Sequence, residues 1–308
     1  MLGNRSLGSK SAQGTRLTSR RRDWTVWGYV FVAPFFIVFL VFHLYPILYS
    51  LYLSLARWDG FSEPVFVGAA NYRRLLADSF FYKSLANTLI IWTISIVPQL
   101  TLALTLALIL HQRFIRGRHY FRAIFYFPNI VTPVTLGVLF SLMFDWQTGT
   151  VNRLLMALGL TGEPINWLNS PLLSRGLVGA VTCFQWFGYN MLLYIAGLQS
   201  IPDELHEAAE VDGATPVQVA TKITIPLLRP VITFTVITSI IGGMQLFDVP
   251  LMLTGRGPED STLTMVMYLY ETAFTSFDYG YGATIAYAAF VLIAILSLVA
   301  FRLTNRSE

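Results

Sequence analysis

The chain has 308 residues, of which 55% are hydrophobic and only 12% charged, with a net charge of +4. Its mean hydropathy is +0.57. A soluble domain carries about 25% charged residues, so this composition argues against a soluble protein and for an all-α, polytopic membrane protein. The small net charge gives no reason to expect a nucleic-acid partner. The one cysteine, Cys183, excludes an intrachain disulfide and reads as a small buried hydrophobe.

Residues 1–23 are rich in Ser, Gly and Arg and end in "TSRRRD". The apolar run that follows is too long for a signal-peptide core and has no small-residue cleavage site. It reads as a retained helix, 24–56, behind a disordered basic tail. A bilayer span needs roughly 20 apolar residues, and five more stretches meet or approach that length: 87–110, 123–144, 177–200, 231–247 and 279–301. The fifth in order is the shortest; it ends at Asp248 and resumes as "VPLMLT". Segment 57–86 reads as an external loop and 201–230 as an internal one. With six spans both termini share a side. The segments on that side hold fourteen Lys and Arg and the opposite segments seven, so both termini are expected in the cytoplasm of a bacterial or archaeal cell.

Between two apolar spans lies "EAAEVDGATPVQVATKITIPLLRP", residues 207–230. Pro202 can open a helix, and Asp203 and Glu204 suit its positive end. Ala208 and Ala209 favour helix and leave a shallow face, and Gly213 is a natural stop. Thr215, Pro216 and Gln218 form a capping box for a second helix, which Pro226 and Pro230 are expected to end. A loop that merely joins two spans needs no such shaping. The segment reads as a docking element for a soluble partner, with Glu207 placed to pair with a partner's arginine. The other reading, a helix lying on the membrane, is weaker because such helices carry Lys and Arg toward anionic lipid.

This segment resembles the EAA loop of ABC importer permeases: EAA, a glycine four residues on, then a hydrophobic-Leu-Pro element. More narrowly, the chain is similar to sugar permeases of the maltose and glycerol-phosphate type from about Phe31 to Arg302. The blocks "NYRRLLADSFFYKSLANT", "FRAIFYFPNIVTP", "GTVNRLLMALGL", "YIAGLQSIPDELHEAAEVDGA" and "FDVPLMLTGRGP" match in order and spacing. Three positions depart from the pattern: Ile225 replaces a leucine, Ala220 an aromatic, and Arg256 the first glycine of "GGP". The resemblance implies a type I importer fold whose core spans 87–303. It also implies a second permease subunit, two ATP-hydrolysing subunits that each receive one EAA loop, and an external solute-binding protein that delivers sugar. Glu207, Ala208, Ala209 and Gly213, with Asp212 and Pro226 beside them, would couple to the ATPase.

ATP binding needs the phosphate-cradling pattern G-x-x-x-x-G-K-[ST]. The nearest approach, "GNRSLGSK" at Gly3–Lys10, carries an extra serine and follows no strand. ATP is therefore expected to be hydrolysed on a separate chain, and this one is not expected to be an enzyme or to hold a cofactor. No cluster at metal-ligand spacing is evident. Polar groups within spans are costly and mark solute paths, although interhelical hydrogen bonding is their commoner role. Thr182, Gln185 and Trp186 follow i, i+3, i+4 spacing and are expected to share a face; Ser239 and Gly243 are also four apart, and Leu246 follows three residues on. The resemblance assigns a sugar path to Asn129, Pro133, Thr182, Gln185, Trp186, Ser239, Gly243 and Leu246. Two alternatives remain open at this point. A secondary transporter would carry ionisable groups at mid-membrane, and a related permease could carry glycerol phosphate.

Overall fold

A computed structural model of the chain describes residues 27–112 and 115–305. The basic tail at 1–23, with its "GNRSLGSK" stretch, lies outside the described residues. The chain divides into two units, Met1–Leu53 and Ser54–Glu308.

The described part of the first unit is helical. Helix α1 covers Trp27–Ser54 and is apolar enough to span a bilayer. Within it Leu40–Leu44 forms a π turn, closed by the Tyr45 amide donating to the Leu40 carbonyl. The turn ends two residues before Pro46. A proline ring collides with the carbonyl four residues back and offers no N–H, and a wider turn just ahead of it relieves both problems.

The second unit opens with two short antiparallel strands, Ala56–Arg57 and Val65–Phe66, in which Ala56 pairs with Phe66. Helices follow: α2 (Ala70–Leu76), α3 (Ser79–His111), α4 (Arg118–Ile130), α5 (Pro133–Met143), α6 (Thr150–Ala157) and α7 (Pro171–Leu198). Two short helices come next, α8 (Asp203–Val211) and α9 (Pro216–Leu227), then α10 (Arg229–Met244) and α11 (Asp248–Thr254). The last are α12 (Met265–Tyr270) and α13 (Tyr279–Asn305). The stretch read as a loop at 57–86 therefore contains a strand pair, a helix and the first turns of α3.

Among the described residues, three helices suffice by length and composition to cross a membrane, α1, α3 and α13, or up to five spans if each bent pair below counts as one. The straight span expected at 123–144 is instead a broken one. Helices α4 and α5 meet at 91°. Pro133 sits in the first turn of α5 and Thr132 caps it, extended at φ −63°, ψ 144°, because a residue before proline avoids the helical region. Helices α9 and α10 form a second bent pair, at 66°. The run expected at 231–247 stops at Met244, and Asp248 opens a separate helix.

Helix α7 is 28 residues long but is not among the helices apolar enough to span on composition. Gln185, Tyr189 and Asn190 in its middle lower its hydropathy. Protein surrounds it instead. Its first half packs Leu177, Val178 and Val181 with Ile91, Leu136, Val249 and Leu253. Its last turns pack Met191, Tyr194, Ile195 and Leu198 with Ala103, Ala107, Leu110 and Leu228. The polar residues lie between these two apolar clusters.

Three glycines allow neighbours to approach α7 closely. A Cβ on Gly179 would lie 2.7 Å from Ile94 Cγ2, one on Gly188 only 1.9 Å from the Phe125 carbonyl oxygen, and one on Gly197 2.8 Å from both Leu228 and Val231. These glycines recur every nine residues, two and a half helical turns, so successive ones face opposite sides. Replacing Gly188 with valine therefore drives a side chain into backbone. It should destabilise the detergent-purified protein by about 3 kcal/mol or more, whereas Gly176→Ala, with nothing within 4 Å of the added carbon, should not lower the thermal midpoint.

At the end of α3 and α7 opposite α8–α9, polar groups tie the segments together. Asp78 caps α3 by accepting from the Phe80 and Phe81 amides. Its other carboxylate oxygen accepts the hydroxyls of Tyr268 and Tyr281, both at 2.5 Å. Burial alone would raise the Asp78 carboxyl, but these four donors outweigh it and hold it below its usual value of 3.8. A depressed carboxylate stabilises the fold above its unfolded value, and that contribution is lost as pH falls through the folded one. Asp78→Asn should therefore lower the thermal midpoint at neutral pH and flatten its decline over roughly pH 5 to 2, as read by unfolding in detergent.

Candidate functional site

A cavity of about 110 Å³ opens at the polar waist of α7, where α3 and α10 meet it. Helix α3 contributes Trp92, Ser95, Ile96 and Gln99; α7 contributes Thr182, Trp186, Tyr189 and Asn190; α10 contributes Thr238, Ser239, Gly242 and Gly243, with Leu246 just beyond. Each set follows the i, i+3 or i+4, i+7 stripe of a single helix face.

The lining hydroxyls are largely satisfied by their own helices. Ser95 donates to the Trp92 carbonyl, Thr182 to Val178 and Thr238 to Phe234, which leaves hydroxyl lone pairs facing the space. Asn190 Nδ2 donates to the Trp186 carbonyl. Trp186 and Tyr189 meet edge to face, with centroids 5.9 Å apart. The Trp92 indole N–H donates to the Ser239 carbonyl at 3.1 Å. The thirteen residues that line the cavity include no Asp, Glu, Lys, Arg or His.

Thr182, Trp186, Ser239, Gly243 and Leu246, five of the eight residues assigned to the path from sequence, lie on this lining. Gln185, Asn129 and Pro133 do not. Three residues turn a helix by about 300° and four by about 400°, so Gln185 and Trp186 fall on opposite shoulders of Thr182. Gln185 is 2% exposed and its Oε1 has no partner among the described residues. Asn129 Nδ2 reaches the Gln185 carbonyl at 3.4 Å, on the α4 side, and Pro133 serves to start α5. Sequence reasoning overlooked Trp92, Ser95, Ile96 and Gln99. Their i, i+3, i+4, i+7 spacing in the second span was the available signal, and Tyr189 and Asn190 extend the stripe on α7.

The hairpin at 203–227 has the expected caps, with two differences. Helix α8 ends in a Schellman motif: Ala214 N–H donates to the Ala209 carbonyl and Gly213 N–H to that of Glu210, with Gly213 left-handed at φ +75°. Thr215 and Gln218 form a reciprocal capping box for α9. The first difference is that Pro226 does not end that helix. A π turn over Ala220–Thr224 stops two residues ahead of it, the same solution as at Pro46, and the break comes at Leu228. The second is that Ala208 and Ala209 present no common face. Successive helical residues point about 100° apart, so Ala208 is exposed while Ala209 is buried at 8%. Glu207, Asp212, Gly213 and Pro226 are exposed. So are Val211 at 87% and Val217 at 71%, two apolar tip residues that charge patterning concealed. His206 Nε2 and Thr224 Oγ1, 3.1 Å apart, brace α8 against α9.

Arg256, where the resembling family has glycine, binds Asp260 at 2.6 Å and Glu271 at 2.5 Å. It fastens the segment after α11 at the end of the molecule remote from the hairpin. The Arg256 guanidinium in turn holds the Asp260 carboxyl below its usual value, against a smaller raising effect of burial.

Residues 88–308 match the family of binding-protein-dependent transport system inner membrane components. The chain belongs to that family. Among relatives, the lactose transport system permease protein of Rhizobium radiobacter is 39% identical over 290 residues, 93% of this chain and 97% of that protein. The arabinooligosaccharides transport system permease protein of Bacillus subtilis is 35% identical over 281 residues, 90% of this chain and 88% of that protein. Among solved structures, the bacterial ABC transporter that imports the acidic polysaccharide alginate superposes with a TM-score of 0.81 at 23% identity, covering 96% of this chain and 99% of that one. That likeness establishes the importer-permease fold.

In this inner membrane component the hairpin's two caps are separable from its bracing. Thr215→Ala should cost about 1 kcal/mol of local stability, and Gly213→Ala a similar amount through its left-handed backbone. Hydrogen exchange of 210–219 should accelerate up to about tenfold for each, with exchange in α10 unchanged.

Proposed function

We propose that this chain is a pore-forming permease subunit of an ATP-driven importer for a neutral sugar or oligosaccharide. The observation that carries the substrate class is the cavity lining: two indoles, a phenol, two carboxamides and several hydroxyls, with no formal charge. Aromatic faces cover the apolar faces of a sugar ring, and amides and hydroxyls exchange hydrogen bonds with its hydroxyls. A phosphate or uronate would leave its charge without a counter-ion in a low-dielectric site, which disfavours glycerol phosphate or an acidic polysaccharide as cargo. The same lining offers no midplane ionisable group for ion-coupled transport. The lactose and arabinooligosaccharide transport named for the relatives agrees with this reading.

The hairpin is the input. Exposed Glu207, Ala208, Asp212 and Gly213, flanked by Val211 and Val217, form a capped knob for the cleft of an ATPase subunit on a separate chain. Its motion has a short route to the cavity. The segment is bound to the end of α7 where Gly197 receives Leu228 and Val231. Beyond Leu228 the chain becomes α10, which carries Ser239 and Gly243 to the lining. The Tyr194 hydroxyl and Thr235 Oγ1, 2.8 Å apart, join α7 to α10 between these points. The second permease, a pair of ATPases and an external solute-binding protein complete the assembly, and the excess of Lys and Arg at the hairpin's side supports cytoplasmic termini. The alginate transporter's structure in complex with a pentasaccharide-bound periplasmic protein supports the last of these partners.

Vesicle uptake with the cognate ATPase tests both ends. Glu207→Ala should weaken ATPase association and uptake together. Trp186→Ala should lower uptake by about tenfold or more, a loss of about 1.4 kcal/mol, while the complex still assembles. Undiminished uptake in Trp186→Ala removes the cavity from the path, and undiminished ATPase association in Glu207→Ala removes the hairpin from coupling.

A further inference from the structure

The cavity as it stands is too small for its proposed cargo. Its volume of about 110 Å³ is well under the roughly 300 Å³ at which pockets for organic ligands begin. Something in the lining must move before a saccharide enters.

One side chain is placed to do so. The Trp92 indole bridges α3 and α10 across the cavity. Its N–H reaches the Ser239 carbonyl, and its Cδ1 lies 2.0 Å from where a Cβ on Gly243 would be. The ring is seated directly on the α10 backbone, and only glycine at 243 leaves room for it. At Gly242, one residue earlier on the same lining, an added Cβ would meet nothing within 4 Å. Open space therefore adjoins the seat. Gly243 lies in the last turn of α10, one residue before Met244. Packing against Trp92 accounts for the glycine at 243.

We propose that Trp92 is the residue that sets the size of solute the path admits. With the indole on Gly243 the cavity is held at about 110 Å³. With α10 displaced from α3 the ring leaves its seat, and the space gained fixes the bulk that passes. This inference rests on the reading of the cavity as the sugar path and adds a gate to it. Because α10 continues directly from the hairpin's bend at Leu228, a shift of the hairpin reaches the seat through one helix.

The test is uptake of a labelled neutral disaccharide and of the trisaccharide one hexose longer, in proteoliposomes holding the full transporter and its binding protein. The binding protein is the same throughout, so its own preference cancels when permease variants are compared. Trp92→Ala should raise the trisaccharide-to-disaccharide ratio about tenfold, the scale of steric discrimination in a pocket. Gly243→Ala should lower uptake of both sugars about tenfold in the presence of Trp92, and less than about twofold in the Trp92→Ala background, the non-additivity expected of residues in contact. Trp92→Phe keeps a ring but loses the N–H bond and should shift the ratio in the same direction by a smaller factor; it reads out the proposal if the alanine variant fails to assemble. An unchanged ratio in the Trp92 variants, or an equal loss from Gly243→Ala in both backgrounds, overturns the proposal. Thr182→Ala and Trp186→Ala run alongside. If they alter uptake while the Trp92 ratio stays fixed, the path reading stands and the gate falls; if none of them alters uptake, both fall.

Discussion

A helix that carries two amides through a membrane must be wrapped by protein, because lipid offers no partner for a polar side chain. Helix α7, with Gln185 and Asn190 at its middle, imposes that constraint, and the second unit is built around satisfying it. Apolar clusters grip α7 above and below its polar waist. Glycines spaced two and a half turns apart bring α3, α4 and the Leu228 bend to near backbone contact. What the wrapping leaves unfilled, on the face shared with α3 and α10, is the cavity.

The same economy links the two functional regions. Helix α10 begins where the hairpin bends and ends where the cavity is lined, so one rigid element belongs to both. Gly197 holds the start of that element against α7, and Gly243 holds its far end against Trp92. The polar network around Asp78, Arg256 and Asp260 holds the opposite end of the bundle. The hairpin's bend thus lies at one end of α10 and the seat of Trp92 on Gly243 at the other.

Much of this was legible in the sequence where local chemistry decides the outcome. Gly213, Thr215 and Gln218 act through neighbours three or four residues away, and their caps form as their spacing dictates. Long apolar runs became helices for the same reason. The misreadings arose where tertiary packing decides. Pattern alone could not show that Pro226 continues a helix through a π turn, since the effect depends on the turn before it. The 91° bend between α4 and α5 needed Thr132 and Pro133 to be read as a break within the apolar run 123–144. Ala209 looked like part of a docking face, but it is buried, and burial is set by tertiary packing that local pattern does not show. In the cavity, the α7 and α10 positions were reached through the family resemblance together with their helical spacing. The α3 stripe was missed because Trp92 and Ile96 look like ordinary residues of an apolar span, and only the seat of Trp92 on Gly243 and the place of both on the cavity lining give them another meaning.

The central claim is that the Thr182–Trp186–Asn190 face of α7 borders an aqueous sugar path while its neighbouring positions do not. Cys183 is the only cysteine, so Cys183→Ala gives a background in which single cysteines at 182, 186 and 190, and at the outward-facing Phe184, can be compared. In the assembled transporter under ATP turnover, a water-soluble thiol reagent should label positions 182, 186 and 190, sugar delivered by the binding protein should protect them, and position 184 should stay unlabelled. Labelling at 184 equal to that at 186 and 190, or labelling at the stripe that sugar leaves unchanged, would contradict the account.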